Sequence, residues 1–204
     1  MMGTYAGGPR TRPPAGWRRR WRALSREIAT CQKCPLGRSR THAVVYRGGL
    51  APRIVFVGEA PGAAEDATGL PFVGRSGRRL DEAIRSLGLA AGDFGVLNLI
   101  KCRPPANRFE PRAASACRPY LERQLDLLAP ERLVTLGAHA LRVLDPSAPA
   151  MLQAAGRPRT AGRGPIFPMI HPAAALRSRQ LAARWGADVE RLGRWLRETP
   201  AQPV

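Results

Sequence analysis

Ile54-Val-Phe-Val-Gly-Glu-Ala-Pro-Gly62 passes from four consecutive apolar residues into a glycine- and proline-bounded turn that carries one carboxylate. Four apolar residues are too few for a buried helix, and their continuity is wrong for a strand with one wet face. A strand buried on both faces, as in a parallel sheet, reads this way. Three further runs have the same character: Val96-Leu-Asn-Leu-Ile100, Leu133-Val-Thr-Leu136 and Ile166-Phe-Pro-Met-Ile170. Pro168 suits a central strand poorly, so the fourth run is expected to be short or bulged.

Between the runs, apolar residues recur at helical spacing. Trp17, Trp21, Leu24 and Ile28 deliver the chain to Cys31; Leu80, Ile84 and Leu87 stop at Gly88; Cys117, Leu121, Leu125 and Leu128 stop before Pro130; Leu181, Trp185, Val189, Leu192 and Leu196 make a last helix. Strands alternating with helices imply a three-layer α/β/α fold around a central four-stranded, mainly parallel sheet. The 204 residues, 44% of them hydrophobic, suffice for one such domain, spanning 17–198. Residues 1–16, rich in glycine and proline and carrying Arg10 and Arg12, are expected to form a disordered basic arm, and 199–204 a tail.

Net charge is +18, almost all of the cation being arginine, since Lys33 and Lys101 are the only lysines. A coding bias exchanges lysine for arginine but creates no surplus over acids. The surplus points to a polyanion, nucleic acid first. There is no apolar signal segment and no run of 18 apolar residues, which points away from membranes and towards the cytoplasm. In that reducing compartment Cys31, Cys34, Cys102 and Cys117 read as thiolate ligands rather than disulfides. The spacing Cys31-x2-Cys34 then Cys102-x14-Cys117 is unusual for a zinc ribbon, and by itself leaves zinc and an iron–sulfur cluster open.

Ligands of open α/β sheets bind beyond the carboxyl ends of the strands. The segments there are Gly58–Gly62, Asn98–Arg108, Gly137-Ala-His139 and His171–Arg177. Gly58-Glu-Ala-Pro-Gly62, Glu65-Asp66, Pro71-Phe-Val-Gly74, the Asn98 segment and His171-Pro172, in this order and with the cysteines in register, resemble the iron–sulfur, family four uracil-DNA glycosylases from about Leu24 to Leu196.

The resemblance implies hydrolysis of uracil from single- or double-stranded DNA by a monomeric prokaryotic enzyme working at the nucleoid, leaving an abasic site. It implies a [4Fe–4S] cluster on Cys31, Cys34, Cys102 and Cys117. The uracil site would comprise Glu59, Ala60, Pro61, Phe72, Asn98 and His171. Phe72 would stack on the base, Asn98 read its pairing edge and His171 stabilise the charge developing on O2. The water-activating aspartate of better-known relatives is replaced by Ala60, which moves that task to Glu59, with Asn107 assisting. Main-chain N–H groups around Ala60 and Pro61 would add contacts. Arg75, Arg103, Arg108 and Arg177 would hold DNA while the nucleotide is flipped out. His42 and His139 match no motif and are assigned plain structural or surface roles.

No basic insertion of the type Lys-Arg-Arg-Ile-His follows Pro105, so covalent trapping of substrate is not expected. No lysine except Lys101 lies near the motifs, which disfavours a lyase. The segment from Asn107 to Ser115 is less acidic than the family's usual one, leaving a shifted preference among deaminated bases open. A noncatalytic iron–sulfur DNA-binding module and a cluster-based redox sensor are the alternatives of another class, though neither requires a uracil-shaped pocket.

Overall fold

The computed structural model describes residues 15–198; the expected arm, apart from its last two residues, and the expected tail lie outside the described residues. Helices α1 (Trp17–Ala29) and α2 (Leu36–Ser39) precede strands β1 (Arg47–Gly48) and β2 (Ile54–Gly58). Then follow α3 (Ala63–Thr68), α4 (Arg75–Ser86), β3 (Phe94–Asn98), a 3-10 turn (Pro105–Asn107), α5 (Pro111–Leu128) and β4 (Arg132–Leu136). The chain closes with α6 (Ala138–Leu144), α7 (Met151–Ala154), β5 (Arg159–Ala161), β6 (Gly164–Met169), α8 (Pro172–Ala175) and α9 (Arg179–Glu198).

The sheet has six strands in the order β1-β3-β2-β4-β6-β5. Its four inner strands run parallel, and β1 and β5 are antiparallel edges. The expected four-stranded sheet is therefore the centre of a mixed six-stranded one. The two added strands are two and three residues long, held by main-chain pairing rather than by an apolar run, so no sequence pattern announces them. Pro168 is accommodated without shortening β6: its carbonyl faces away from β4 and accepts from Gly156 N at 2.8 Å, so the missing N–H lies on the side where β5, paired only with residues 164–166, has ended.

Side chains alternate across the sheet, as the period of a strand requires. Ile54, Phe56, Val96, Val134, Leu136, Phe167 and Met169 pack on one face with Leu80 and Ile84 of α4 and Trp185, Leu192 and Leu196 of α9. Val55, Val57, Leu97, Leu133 and Ile166 pack on the other with Trp17 of α1, Leu121 and Leu125 of α5 and Ala140 of α6. These two cores make the three layers. They also fix which strand ends lie together: β2, β3, β4 and β6 all finish on one edge.

That edge constrains α4. A Cβ on Gly77 would stand 1.9 Å from the carbonyl oxygen of Phe72. Glycine to alanine in a helix normally stabilises by roughly 0.5–1 kcal/mol, whereas a steric clash of this kind destabilises by about 1–3 kcal/mol. Gly77→Ala is expected to lower the urea midpoint; an unchanged or raised midpoint would contradict the contact.

Candidate active site

Gly58 closes β2 directly opposite Asn98, which closes β3. Asn98 is 1% exposed, and its Oδ1 has no hydrogen-bond partner among the described residues. A Cβ at position 58 would lie 2.5 Å both from that oxygen and from the Phe72 ring. The absence of a side chain there thus keeps open a slot between an amide edge and an aromatic ring. The slot belongs to a cavity of about 350 Å³ whose walls include Glu59, Ala60, Pro61, Phe72, Asn98, Asn107, His171 and Arg177.

The sequence-predicted residues Glu59, Ala60, Pro61, Phe72, Asn98, Asn107 and His171 are thus brought together on one wall system, and Arg177 stands exposed at the rim. Arg75 and Arg108 are exposed but do not line the cavity, and Arg103 donates from Nε to Asn107 Oδ1 at 3.0 Å. The expected main-chain contribution next to Pro61 is narrowed, because the Gly62 N–H is already taken by Glu65.

Glu65 and Asp66 do what their position at the start of α3 suggests and more. The Glu65 carboxylate accepts from Gly62 N at 3.0 Å, Val73 N at 2.9 Å and Gly74 N at 2.8 Å. One buried side chain thereby clamps the turn after β2 to the loop that carries Phe72. Asp66 accepts from Thr41 N, and its carbonyl pairs with the His42 ring, so His42 serves the frame. The clamp holds strained backbone at Phe72, whose φ is 55°, the left-handed region that non-glycine residues enter at some cost; Ala106 and Asn107, in the loop after β3, have φ of 50° and 53°.

His171 follows β6 as the N-cap of α8. Its Nδ1 accepts from Ala173 N at 3.1 Å, so in the neutral ring the proton sits on Nε2, the remaining donor. Burial pushes the pKa down from the usual 6.5 to about 4; Glu59 and Glu65 oppose that, and Arg177 adds to it. The ring is neutral at physiological pH and still able to donate. Phe72 lies near it, with ring centroids 5.8 Å apart.

His139, expected in a plain structural or surface role, is exposed and makes two contacts. At the start of α6, after β4, its Nδ1 meets Glu59 Oε2 at 2.7 Å, and its ring stacks on Phe109 with centroids 3.8 Å apart and 7° between planes. No motif carries this residue. The available signal is its place: Gly137-Ala-His139 follows an apolar run on the ligand edge of the sheet.

Lys101 does not line the cavity. It is 1% exposed, donates from Nζ to Asn98 O at 2.5 Å, and has its pKa lowered to about 7 by burial. Behind it, Cys31, Cys34, Cys102 and Cys117 all line one small space with Arg40 and Lys101, and all four thiols are free. No three His, Cys, Asp or Glu side chains among the described residues close round a point as the ligands of a single ion do. Four cysteine thiols lining one space are a donor set that a four-iron cluster or a structural zinc can take. Arg40 Nη1 donates to Cys102 Sγ at 3.2 Å. Burial raises the pKa of Cys102 and of Cys117, which the Arg40 and Lys101 contacts partly offset.

A family profile described as "Uracil DNA glycosylase superfamily" matches residues 45–191. A "Type-4 uracil-DNA glycosylase" of Thermotoga maritima is 41% identical over 159 residues, covering 76% of this chain and 83% of the relative. Another so named, of Archaeoglobus fulgidus, is 37% identical over 179 residues, covering 83% and 90%. No helix among the described residues is long and apolar enough to cross a membrane.

The His171 geometry sets a pH dependence. As pH falls, the unfolded chain takes up the histidine proton first, at about 6.5, and the folded one only near 4. This contribution to stability is complete above 6.5 and is lost progressively down to about 4. His171→Asn removes the titration, so the variant is expected to lose less stability than the wild type across that window in urea unfolding. Parallel losses would contradict the half-buried, neutral ring.

Proposed function

The chain belongs to the uracil DNA glycosylase superfamily, and from that premise we propose that it hydrolyses the N-glycosidic bond of uracil in DNA, a base-excision repair activity that leaves an abasic site. The observation that carries the reading is the buried, unpartnered Oδ1 of Asn98. An orphaned buried acceptor costs about 1–3 kcal/mol, and uracil's N3–H relieves it while the amide N–H2 donates to O4. Cytosine offers an acceptor at N3 and a donor at the exocyclic position, so it leaves both groups opposed.

In this mechanism the base stacks on Phe72 with its pairing edge towards Asn98, while His171 Nε2–H faces O2. As the C1′–N1 bond breaks, its electron pair leaves with uracil, and the anion's charge is met by that neutral donor. A preorganised donor of this kind contributes roughly 2.7–4 kcal/mol. Glu59 faces the sugar, balances its positive charge and takes the proton of the water whose oxygen bonds to C1′. Asn107, steadied by Arg103, helps to place that water. Arg75, Arg103, Arg108 and Arg177 contact the phosphates, each neutralised phosphate adding about 0.9 to the log–log salt slope. Lys101 is sequestered behind Asn98, which supports hydrolysis without a lyase step. The enzyme acts as a monomer in the cytoplasm, at the nucleoid.

Cys31, Cys34, Cys102 and Cys117 hold a [4Fe–4S] cluster in this reading. Bound there, it would tie the end of α1 to the loop after β3 and to α5, beside Arg40 and Lys101.

Two experiments test the proposal. A uracil-containing oligonucleotide should release free base, the matched cytosine strand none, and Glu59→Gln should slow release by about 10²–10⁴-fold; no release from any uracil substrate would overturn the function. Purified protein should be brown with broad visible absorption that disappears, together with thermal stability, on iron chelation. A colourless, zinc-loaded, active preparation would overturn the cluster.

A further inference from the structure

Among the described residues, the hydrogen bond made by the Glu59 carboxylate is the one to His139. Glu59 directly follows β2, its carbonyl accepting from Ile100 N at 3.0 Å, and its side chain is 29% exposed. A carboxylate so placed samples several rotamers unless something outside its strand selects one. An ionised carboxylate only accepts, so the 2.7 Å contact requires the proton on His139 Nδ1. The imidazole is in turn fixed in plane by Phe109, which lies flat on it. Phe109 is two residues after Asn107, so the stack joins the carboxylate at the end of β2, the start of α6 and the loop that carries Asn107.

We infer that His139 is a positioning residue for this reaction: its Nδ1–H selects the Glu59 rotamer that faces the water, and its stack on Phe109 registers that carboxylate against the Asn107 loop. The inference rests on the reading of Glu59 as the water-activating group. His139 does not line the cavity and is 46% exposed, so its replacement leaves the core intact.

Two substitutions separate the hydrogen bond from the stack. His139→Phe keeps a flat ring for Phe109 and removes the donor; His139→Asn keeps an N–H near the Nδ1 position and removes the ring. Single-turnover release of uracil from an oligonucleotide is expected to slow about tenfold in His139→Phe, the low end for a hydrogen bond to a charged, partly wet group. Its Kd for the same DNA should stay within about twofold, and His139→Asn should recover to within about threefold of wild type, as expected where one donor alone is restored.

Added to Glu59→Gln, His139→Phe should produce no further loss, because both act through one carboxylate. A wild-type rate in His139→Phe, an equal defect in His139→Asn, or an additive loss in the double variant overturns the inference and leaves the proposed function standing. A wild-type rate in Glu59→Gln overturns the reading of Glu59 itself, whatever the His139 variants do.

Discussion

One constraint organises this molecule: in the parallel register of β2 and β3, a residue without a side chain lies opposite a buried amide. Any Cβ at position 58 would collide with Asn98 and Phe72 together, so the slot exists only because residue 58 is glycine. Everything on the ligand edge of the sheet is arranged about that slot. Gly137 does a similar service at the end of β4, where a Cβ would come within 3.1 Å of His171 and where φ is +93°, and its N–H ties it to Met169 at the end of β6.

Around the slot, rigidity is supplied by few buried groups with many partners. Glu65 gathers three main-chain N–H groups and so fixes Phe72 in a left-handed conformation it would not choose alone. Lys101 fixes the other wall from behind, its ammonium on Asn98 O and its surroundings shared with Cys102 and Cys117. The residue that holds Asn98 in place therefore borders the cysteine-lined space, so the cysteines and this wall of the cavity share one support. The shared support follows from contiguity in sequence: Lys101 is the third residue after Asn98, and Cys102 is next.

Much of this was legible in the chain, for physical reasons. Ile54–Val57 and its counterparts announced strands because residues buried on both faces must all be apolar. The turn after each strand marked the ligand edge because glycine and proline sit beside amides and charges there. The edge strands at Arg47 and Arg159 were silent, since main-chain pairing leaves no side-chain pattern. The contact between His139 and Glu59 was silent too: the two are eighty residues apart, and only the β2–β4 pairing brings them together. The strain at Phe72 is likewise a product of the Glu65 clamp and the closeness of Gly77, which no local propensity records.

The central claim is that Asn98 reads a pyrimidine edge inside this cavity, and it is tested most directly by a crystal structure of the protein with free uracil. The account predicts the ring stacked on Phe72, with N3–H on Asn98 Oδ1 and O2 towards His171 Nε2. Uracil bound elsewhere, or an Asn98 amide turned away from a base in the slot, would contradict it.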